Sequence, residues 1–209
     1  MRFPFFASFI IFMFVFLINR KKADYKDSSI KQNYLEIERQ ANSTRKKSLE
    51  NLDYIIIPFS TLPMDTASQD EVVSGCVKEI RELSEEKIVN FTGYTNTDLK
   101  LKYGTANITL LSVYDQNFTL LVRSLQDWAK RLFELGHTDE CLNLLEFAVS
   151  IRSDISSTYY LAAKIYAKQG NMEKIAQLIQ TAQTLNSAMK NSIVRTLQES
   201  YPDTDSLHS

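Results

Sequence analysis

The feature that most constrains this fold is an internal repeat in the C-terminal half of the chain. Residues 122–155 align with residues 156–189 at an offset of 34 positions and give six identities. A period of about 34 residues with small residues at fixed places is typical of stacked helical hairpins, and the repeat therefore predicts an all-α domain. The identical pairs are Ala129 with Ala163, Lys130 with Lys164, Gly136 with Gly170, Leu144 with Leu178, Ala148 with Ala182 and Ser153 with Ser187.

Each repeat unit reads as two helices, because its apolar residues recur at steps of three and four. Gly and Pro number only nine in the chain, so long helices can run unbroken. Capping preferences and glycine positions set the predicted boundaries. We expect a long helix capped by Tyr114 or Asp115 and ending at Gly136, a second opening at Thr138, a third capped by Asp154 or Ser156 and ending at Gly170, and a fourth capped by Asn171.

The apolar and small positions of both units resemble the tetratricopeptide repeat. In the first unit they are Leu125, Trp128, Ala129, Leu132, Cys141, Leu145, Ala148 and Ser153. In the second they are Tyr159, Ala162, Ala163, Tyr166, Ile175, Ile179, Ala182 and Ser187. Two departures are the missing terminal proline and bulky Ile175 where the pattern has alanine. The resemblance implies a tetratricopeptide-like, right-handed α-solenoid.

Two hairpins alone leave both ends of their apolar core uncovered, so flanking helices must cap them. A capping box formed by Ser68 and Glu71 predicts a helix on the N-terminal side. Residues 188–200 are expected to cap the C-terminal side, with Pro202 ending that helix. The predicted helical domain is therefore 64–200, and residues 201–209 form a flexible tail.

Residues 3–18 form an unbroken apolar run that predicts a transmembrane anchor within 1–22. As a helix it would span roughly 24 Å, short of the ~30 Å hydrocarbon core. Arg2 before the run and Arg20, Lys21 and Lys22 after it can snorkel to the headgroups and make up most of the deficit. A secretory signal peptide is the alternative, but basic residues stand where small residues of a cleavage site would be needed.

Lys and Arg counts predict the orientation of this single-pass anchor. One basic residue precedes the run and five follow within about fifteen residues, which places the body on the cytoplasmic side of the cell membrane. Four N-x-S/T triplets argue for a secreted, glycosylated body instead. The triplet recurs by chance in an Asn- and Thr-rich chain, so we give it little weight; the asparagines are Asn42, Asn90, Asn107 and Asn117.

Residues 23–63 are predicted to connect the anchor to the helical domain. Within them Ile30, Tyr34, Ile37 and Ala41 are spaced four, three and four, which predicts a polar stalk helix with one apolar seam. Self-association through this seam is the alternative, although it is shorter than a coiled coil requires. Residues 54–63 contain β-branched residues and two prolines and predict an extended connector, with a peripheral strand as the alternative.

Patterns that could carry chemistry have simpler structural explanations in this chain. Glutamates at 79, 82, 85 and 86 fall on the wet side of an amphipathic helix and indicate a solvated face. Cys76 and Cys141 stand far apart on apolar faces and read as buried free thiols. His137 and His208 are the sole histidines and occupy a turn and the tail. We expect no enzyme activity, cofactor, metal or small-molecule substrate.

Residues between these helices are harder to assign. A short helix over 97–103, closed by Gly104, is expected, whereas 106–113 is ambiguous. The net charge of −1 and the absence of a basic stripe interleaved with aromatics argue against nucleic acid.

The resemblance also implies a protein-binding groove lined by the first helix of each hairpin. Carried over residue by residue, its lining is Arg123, Gln126, Lys130, Phe133, Tyr160, Lys164 and Lys168. Such a lining favours an acidic or C-terminal carboxylate segment of a partner protein. A merely solvated lysine face is the alternative interpretation. We expect a membrane-tethered protein interaction module, or else a structural subunit of a membrane or envelope complex.

Overall fold

The computed structural model describes residues 30–202 together with residues 12, 13, 16 and 20, and within these all regular secondary structure is helical. The predicted all-α class is confirmed. The elements are α1 (30–43), α2 (Glu71–Leu83), α3 (Asn96–Tyr103), a 3₁₀ helix (Thr105–Asn107), α4 (Ile108–Glu134), α5 (Thr138–Ser150), α6 (Ser156–Lys168), α7 (Met172–Gln183) and α8 (Lys190–Ser200). Within the predicted connector 54–63, residues 54–58 belong to no helix, strand or turn, and the Ile55 N–H donates to the Ile88 carbonyl at 2.9 Å. Residues 59–62 form turns and a bend, so an extended path over the whole of 54–63 is wrong.

Among the described residues, no helix combines the length and the apolar character needed to cross a membrane. The anchor predicted at residues 3–18 lies outside the described residues, apart from Phe12, Met13 and Phe16. It stays a prediction.

The described chain divides into two compact units. The first contains the described residues up to Lys47 and Thr95–Ile108; the second contains Ser48–Tyr94 and the described residues from Thr109 onward. This division does not test the domain boundaries predicted from the sequence. The anchor (1–22), the connecting segment (23–63), the helical domain (64–200) and the tail (201–209) stay predictions.

Polar bonds to the backbone hold the first unit together. The side-chain amide of Asn107, which is buried, donates to the carbonyls of Lys47 and Tyr103, both at 2.8 Å. Thr95 and Asp98 form a capping box that starts α3, so the short helix expected here exists. Ala41 and Leu99 are the buried apolar residues of this unit. With so little apolar burial, these hydrogen bonds fix the path of the chain.

A single apolar core fills the second unit. Trp128 of α4 and Tyr159 of α6 are its largest fully buried side chains, and α5, α7 and α8 add further residues. Helices adjacent in sequence pack against each other, α5 on α6, α6 on α7 and α7 on α8, and α8 also contacts α6. Ile193 and Leu197 of α8 are buried in this core.

Equivalent positions of the sequence repeat have equivalent local structures. Ala129 and Ala163 are both fully buried, and Gly136 and Gly170 both lie in the turn after a helix. The Ser153 hydroxyl accepts from the Ile155 N–H at 3.3 Å, and the equivalent Ser187 hydroxyl accepts from Met189 at 3.1 Å. The identities therefore mark positions with the same structural role.

Several predicted helix starts are wrong. Asp70, not the Ser68–Glu71 capping box, caps α2, because its carboxylate accepts from the N–H groups of Val72 and Val73. Neither Tyr114 nor Asp115 caps a helix: α4 already begins at Ile108, and the Asp115 carboxylate accepts from the Phe91 N–H instead.

The caps of the second hairpin give a mixed result. Ile155 precedes α6 with no side-chain bond, so the predicted caps Asp154 and Ser156 are wrong. The Asn171 side chain accepts from the Lys174 N–H and caps α7 as predicted.

Asp70 also joins α2 to α4. Its second carboxylate oxygen accepts from Arg131 Nη2 at 2.7 Å and from Nε at 3.0 Å. These bonds lower the pKa of Asp70 below its ordinary value. Because the native pKa is lowered, the stabilisation is complete above the unfolded pKa of about 4 and is lost as pH falls through the native pKa.

We therefore expect Asp70→Asn, which keeps a capping oxygen but no charge, to lower the Tm at neutral pH. The Tm difference from the wild type should shrink as acid protonates Asp70. Thermal melts between about pH 2 and pH 7 measure this, spanning the carboxyl pKa. Glu134→Gln, which alters the more exposed partner of Arg131, is the control and should have a smaller effect. A Tm difference that stays constant with pH would contradict the assignment.

Candidate functional site

The predicted groove residues lie on two helices that are neighbours in the second unit. Arg123, Gln126, Lys130 and Phe133 belong to α4, whereas Tyr160, Lys164 and Lys168 belong to α6. The Thr158 hydroxyl of α6 donates to the Gln126 side-chain oxygen of α4 at 2.7 Å. We call the surface formed by these seven residues the α4–α6 surface.

Three of the seven residues form a cluster around one ring. The ammonium nitrogens of Lys164 and Lys168 lie 5.4 Å and 5.6 Å from the centroid of the Phe133 ring. Phe133 is half-buried against the core, and both lysines are exposed. Each cation is attracted by the ring electrons. The two cations repel each other, so this Phe133 cluster is a favourable place for an anion.

The Phe133 cluster has no acidic counterpart in the described part of the chain. Neither Lys164 nor Lys168 forms an ion pair there, whereas Lys174 pairs with Glu146 and Arg131 pairs with Asp70 and Glu134. The whole protein has a net charge of −1, so two uncompensated cations at one aromatic ring make its charge distribution uneven. It gives this surface a locally positive potential.

The other four groove residues are placed less specifically. Arg123 and Lys130 are exposed on α4, and Tyr160 is half-buried against the core. The Gln126 oxygen already accepts from Thr158, so this side chain holds α4 to α6. No described contact joins these four to the Phe133 cluster.

A second polar cluster was not predicted. A cavity of about 250 Å³ is lined by residues of α5, α6 and α7, among them Glu146, Tyr166 and Lys174. Glu146 Oε1 accepts a hydrogen bond from the Tyr166 hydroxyl. It also accepts one from Lys174 Nζ, at 3.2 Å. The three polar groups satisfy one another at the rim of this cavity, where Tyr166 is buried and the Glu146 and Lys174 side chains are partly exposed.

The ionisation of this cluster fits a structural role. Burial acts to raise the pKa of Glu146, but hydrogen bonds from Tyr166 and Lys174 outweigh it, and the pKa is lowered. Burial and the Glu146 carboxylate raise the pKa of Tyr166, so its phenol stays protonated and donating at neutral pH. The partners are 20 and 28 residues apart, at no spacing that a sequence motif would show.

Of the four glutamates predicted on one solvated helix face, two lie on α2 and two follow its end at Leu83. Glu79 accepts from Ser124 of α4, Glu82 lies 3.9 Å from Lys78, and Glu85 and Glu86 are exposed. Within the described residues, His, Cys, Asp and Glu side chains do not gather in groups of three or more that would hold a metal.

Both cysteines are free thiols that contact the apolar core; Cys141 is buried as predicted, whereas Cys76 is only partly buried. Cys141 is buried, and its pKa is raised by burial to about 12. Cys76 is half-buried; burial first, and then the carboxylates of Asp127 and Glu79, raise its pKa to about 11. Thiolates, not thiols, react with electrophiles. We expect a chromogenic thiol reagent at pH 7 to modify both cysteines slowly in the native protein and rapidly after unfolding. Rapid native modification of two thiols would contradict this burial.

The four asparagines of the N-x-S/T triplets all have structural partners. The amide nitrogens of Asn90 and Asn107 each donate to two backbone carbonyls, and that of Asn117 donates to one. The Asn42 oxygen accepts from Lys100 at 2.8 Å.

Comparison of the chain with protein-family models, curated proteins and solved structures gives no match. The tetratricopeptide resemblance therefore stays a prediction that is compatible with the all-helical fold.

Proposed function

We propose that this chain is a non-enzymatic, membrane-tethered protein interaction module of tetratricopeptide-like architecture. Residues 3–18 would anchor it in the cell membrane, with the body on the cytoplasmic side. The α4–α6 surface would bind a segment of a partner protein. The observation that carries this proposal is the Phe133 cluster, with two uncompensated ammonium groups at one aromatic ring.

The chemistry of the cluster favours an acidic partner segment. A carboxylate placed between Lys164 and Lys168 would relieve their mutual repulsion, and the half-buried Phe133 ring offers an apolar contact to the same segment. Charge would steer the encounter and the ring would slow dissociation.

A structural subunit of a membrane or envelope complex is the second candidate. Ile56 and Phe59 favour it, because these two side chains are 85% and 37% exposed and line one surface cavity together. A neighbouring subunit would cover such an apolar pair. Stability of the purified protein separates the two candidates: an interaction module is stable alone, whereas a structural subunit is stable only with its neighbours.

Charge reversal on the α4–α6 surface tests the proposed function. We expect Lys130→Glu combined with Lys164→Glu to abolish partner recovery from crosslinked membranes, measured by mass spectrometry. Circular dichroism should be unchanged, because both side chains are exposed. The matched control is Lys78→Glu with Arg81→Glu on α2, which changes the net charge equally at other exposed positions. Undiminished recovery with the first pair would show that the partner binds elsewhere.

A further inference from the structure

The apolar face of α1 is covered at one end and bare at the other. Ile30, Tyr34, Ile37 and Ala41 share this face, because they are spaced four, three and four along the helix. Ala41 is fully buried, whereas Ile30, Tyr34 and Ile37 are 57%, 60% and 38% exposed. The seam predicted from the sequence therefore extends beyond the part that its own unit covers.

Contacts within the first unit explain why only the C-terminal end of the apolar face of α1 is buried. The Thr97 hydroxyl donates to Glu38, and the Thr105 hydroxyl donates to the Ala41 carbonyl at 2.9 Å. These contacts lie at the C-terminal end of α1. Single exposed apolar residues are ordinary on a protein surface, but three on one helical face mark a docking surface.

The position of α1 in the chain points to the occupant. The apolar run ends at residue 18, so eleven residues separate it from Ile30, and these can reach at most about 40 Å. If that run is embedded, as the proposed function holds, the bare face of α1 is confined close to the bilayer. Such confinement gives the face a high effective concentration at the lipid surface.

Side-chain chemistry fits an anionic membrane surface. Tyrosine is enriched at the membrane–water interface, where its ring is apolar and its hydroxyl stays wet. Lys31 of α1 and Arg20 are exposed, and the intervening sequence adds Lys21, Lys22 and Lys26. Asp24 and Asp27 offset two of these five positive charges, so residues 20–31 carry a net charge of +3. Basic residues beside an apolar helical face are typical of helices that lie in the headgroup region of anionic lipids.

A second copy of α1 is a poorer occupant. The bare face has three residues within eight positions, far short of the three or four heptads of a coiled coil. The next residue of the series, Ala41, is already buried in its own unit. Few contacts would remain for a helix pair.

We propose that α1 docks on the membrane surface, with Ile30, Tyr34 and Ile37 in the headgroup region of anionic lipids. This inference rests on the proposed membrane tether and is independent of the α4–α6 surface. Glu36 and Arg39, whose side chains lie 3.6 Å apart and are largely exposed, stay on the water side of the helix.

Site-specific labelling of the full chain in vesicles tests the docking. The chain is reconstituted into phosphatidylcholine vesicles containing phosphatidylglycerol, and flotation first measures whether it is anchored. An environment-sensitive fluorophore is attached through Tyr34→Cys or Ile37→Cys, with Gln32→Cys, at an exposed position of α1, as the control. Residues two apart point to different faces of a helix, so position 32 reports the opposite face from position 34. The chain without an added cysteine gives the background from Cys76 and Cys141.

We expect lipid-borne quenchers to remove most of the emission at positions 34 and 37 and little at position 32. A chain that floats but shows weak quenching at all three positions would overturn the docking and leave the tether intact. Strong energy transfer between labelled copies without lipid quenching would assign the face to a second copy. A chain that fails to float would overturn both the tether and the docking.

Discussion

Ala163→Trp is expected to unfold the second unit or to lower its Tm by several degrees. Ala163 of α6 is fully buried in the same core as Trp128 and Tyr159, so added volume at this position meets packed side chains. Overpacking of a core costs about 1–3 kcal/mol and more for a large side chain. For a domain of this size each kcal/mol lowers the Tm by roughly 3 °C. Thermal melts followed by circular dichroism measure the change.

The matched control introduces the same side chain at an exposed position of the same region. Gln169 is exposed directly after α6, so Gln169→Trp should leave the Tm nearly unchanged. Two equal and small Tm changes would contradict the burial of Ala163 and the alignment of the repeat that placed it.

Gly93→Ala is expected to be nearly as damaging, for a reason of backbone geometry. Gly93 has φ +85°, a conformation that residues with a Cβ rarely adopt. An added Cβ would lie 2.1 Å from the carbonyl oxygen of Asn186, which is too close for any real contact. The chain must therefore move at Gly93 or in the turn before α8, and we expect the unfolding free energy from chemical denaturation to fall.

Gly136→Ala separates the cost of the positive φ from the cost of the steric clash. Gly136 has φ +87°, but an added Cβ would meet nothing within 4 Å. A left-handed conformation costs an ordinary residue about 1–2 kcal/mol, and this cost should be all that Gly136→Ala shows. Gly93→Ala should lose clearly more. Equal losses at the two positions would mean that Asn186 does not approach Gly93 as closely as described.

Local patterns predicted the helices whose ends are set locally. The start of α5 at Thr138 and the Asn171 cap of α7 followed from neighbouring residues and agree with the structure. The start of α4 did not follow, because Ile108–Val113 is apolar and partly β-branched, a composition that suits helix or strand. Tertiary context, in which Leu111 is fully buried, overrides local propensity here, and it is not visible in the local sequence.

Long-range bonds explain most of the remaining errors. Ser68 and Glu71 fit a capping box, but Asp70 caps α2 and also binds Arg131, 61 residues away. The Tyr166, Glu146 and Lys174 cluster likewise joins three helices at unremarkable spacings. The sequence predicted two members of the Phe133 cluster to be neighbours, because the repeat alignment assigns Lys164 and Phe133 to the first helices of adjacent predicted hairpins. Which of the seven groove residues would meet was not predictable from that alignment.

The measurement that tests the central claim most directly is photo-crosslinking from the α4–α6 surface in intact cells. A photoreactive phenylalanine analogue at Phe133 should give one defined adduct with a partner protein, and Lys130→Glu with Lys164→Glu should abolish it. The same analogue at Val72, which is 49% exposed on α2, should give no such adduct. Equal adducts from both positions, or an adduct from Val72 alone, would contradict a partner-binding α4–α6 surface.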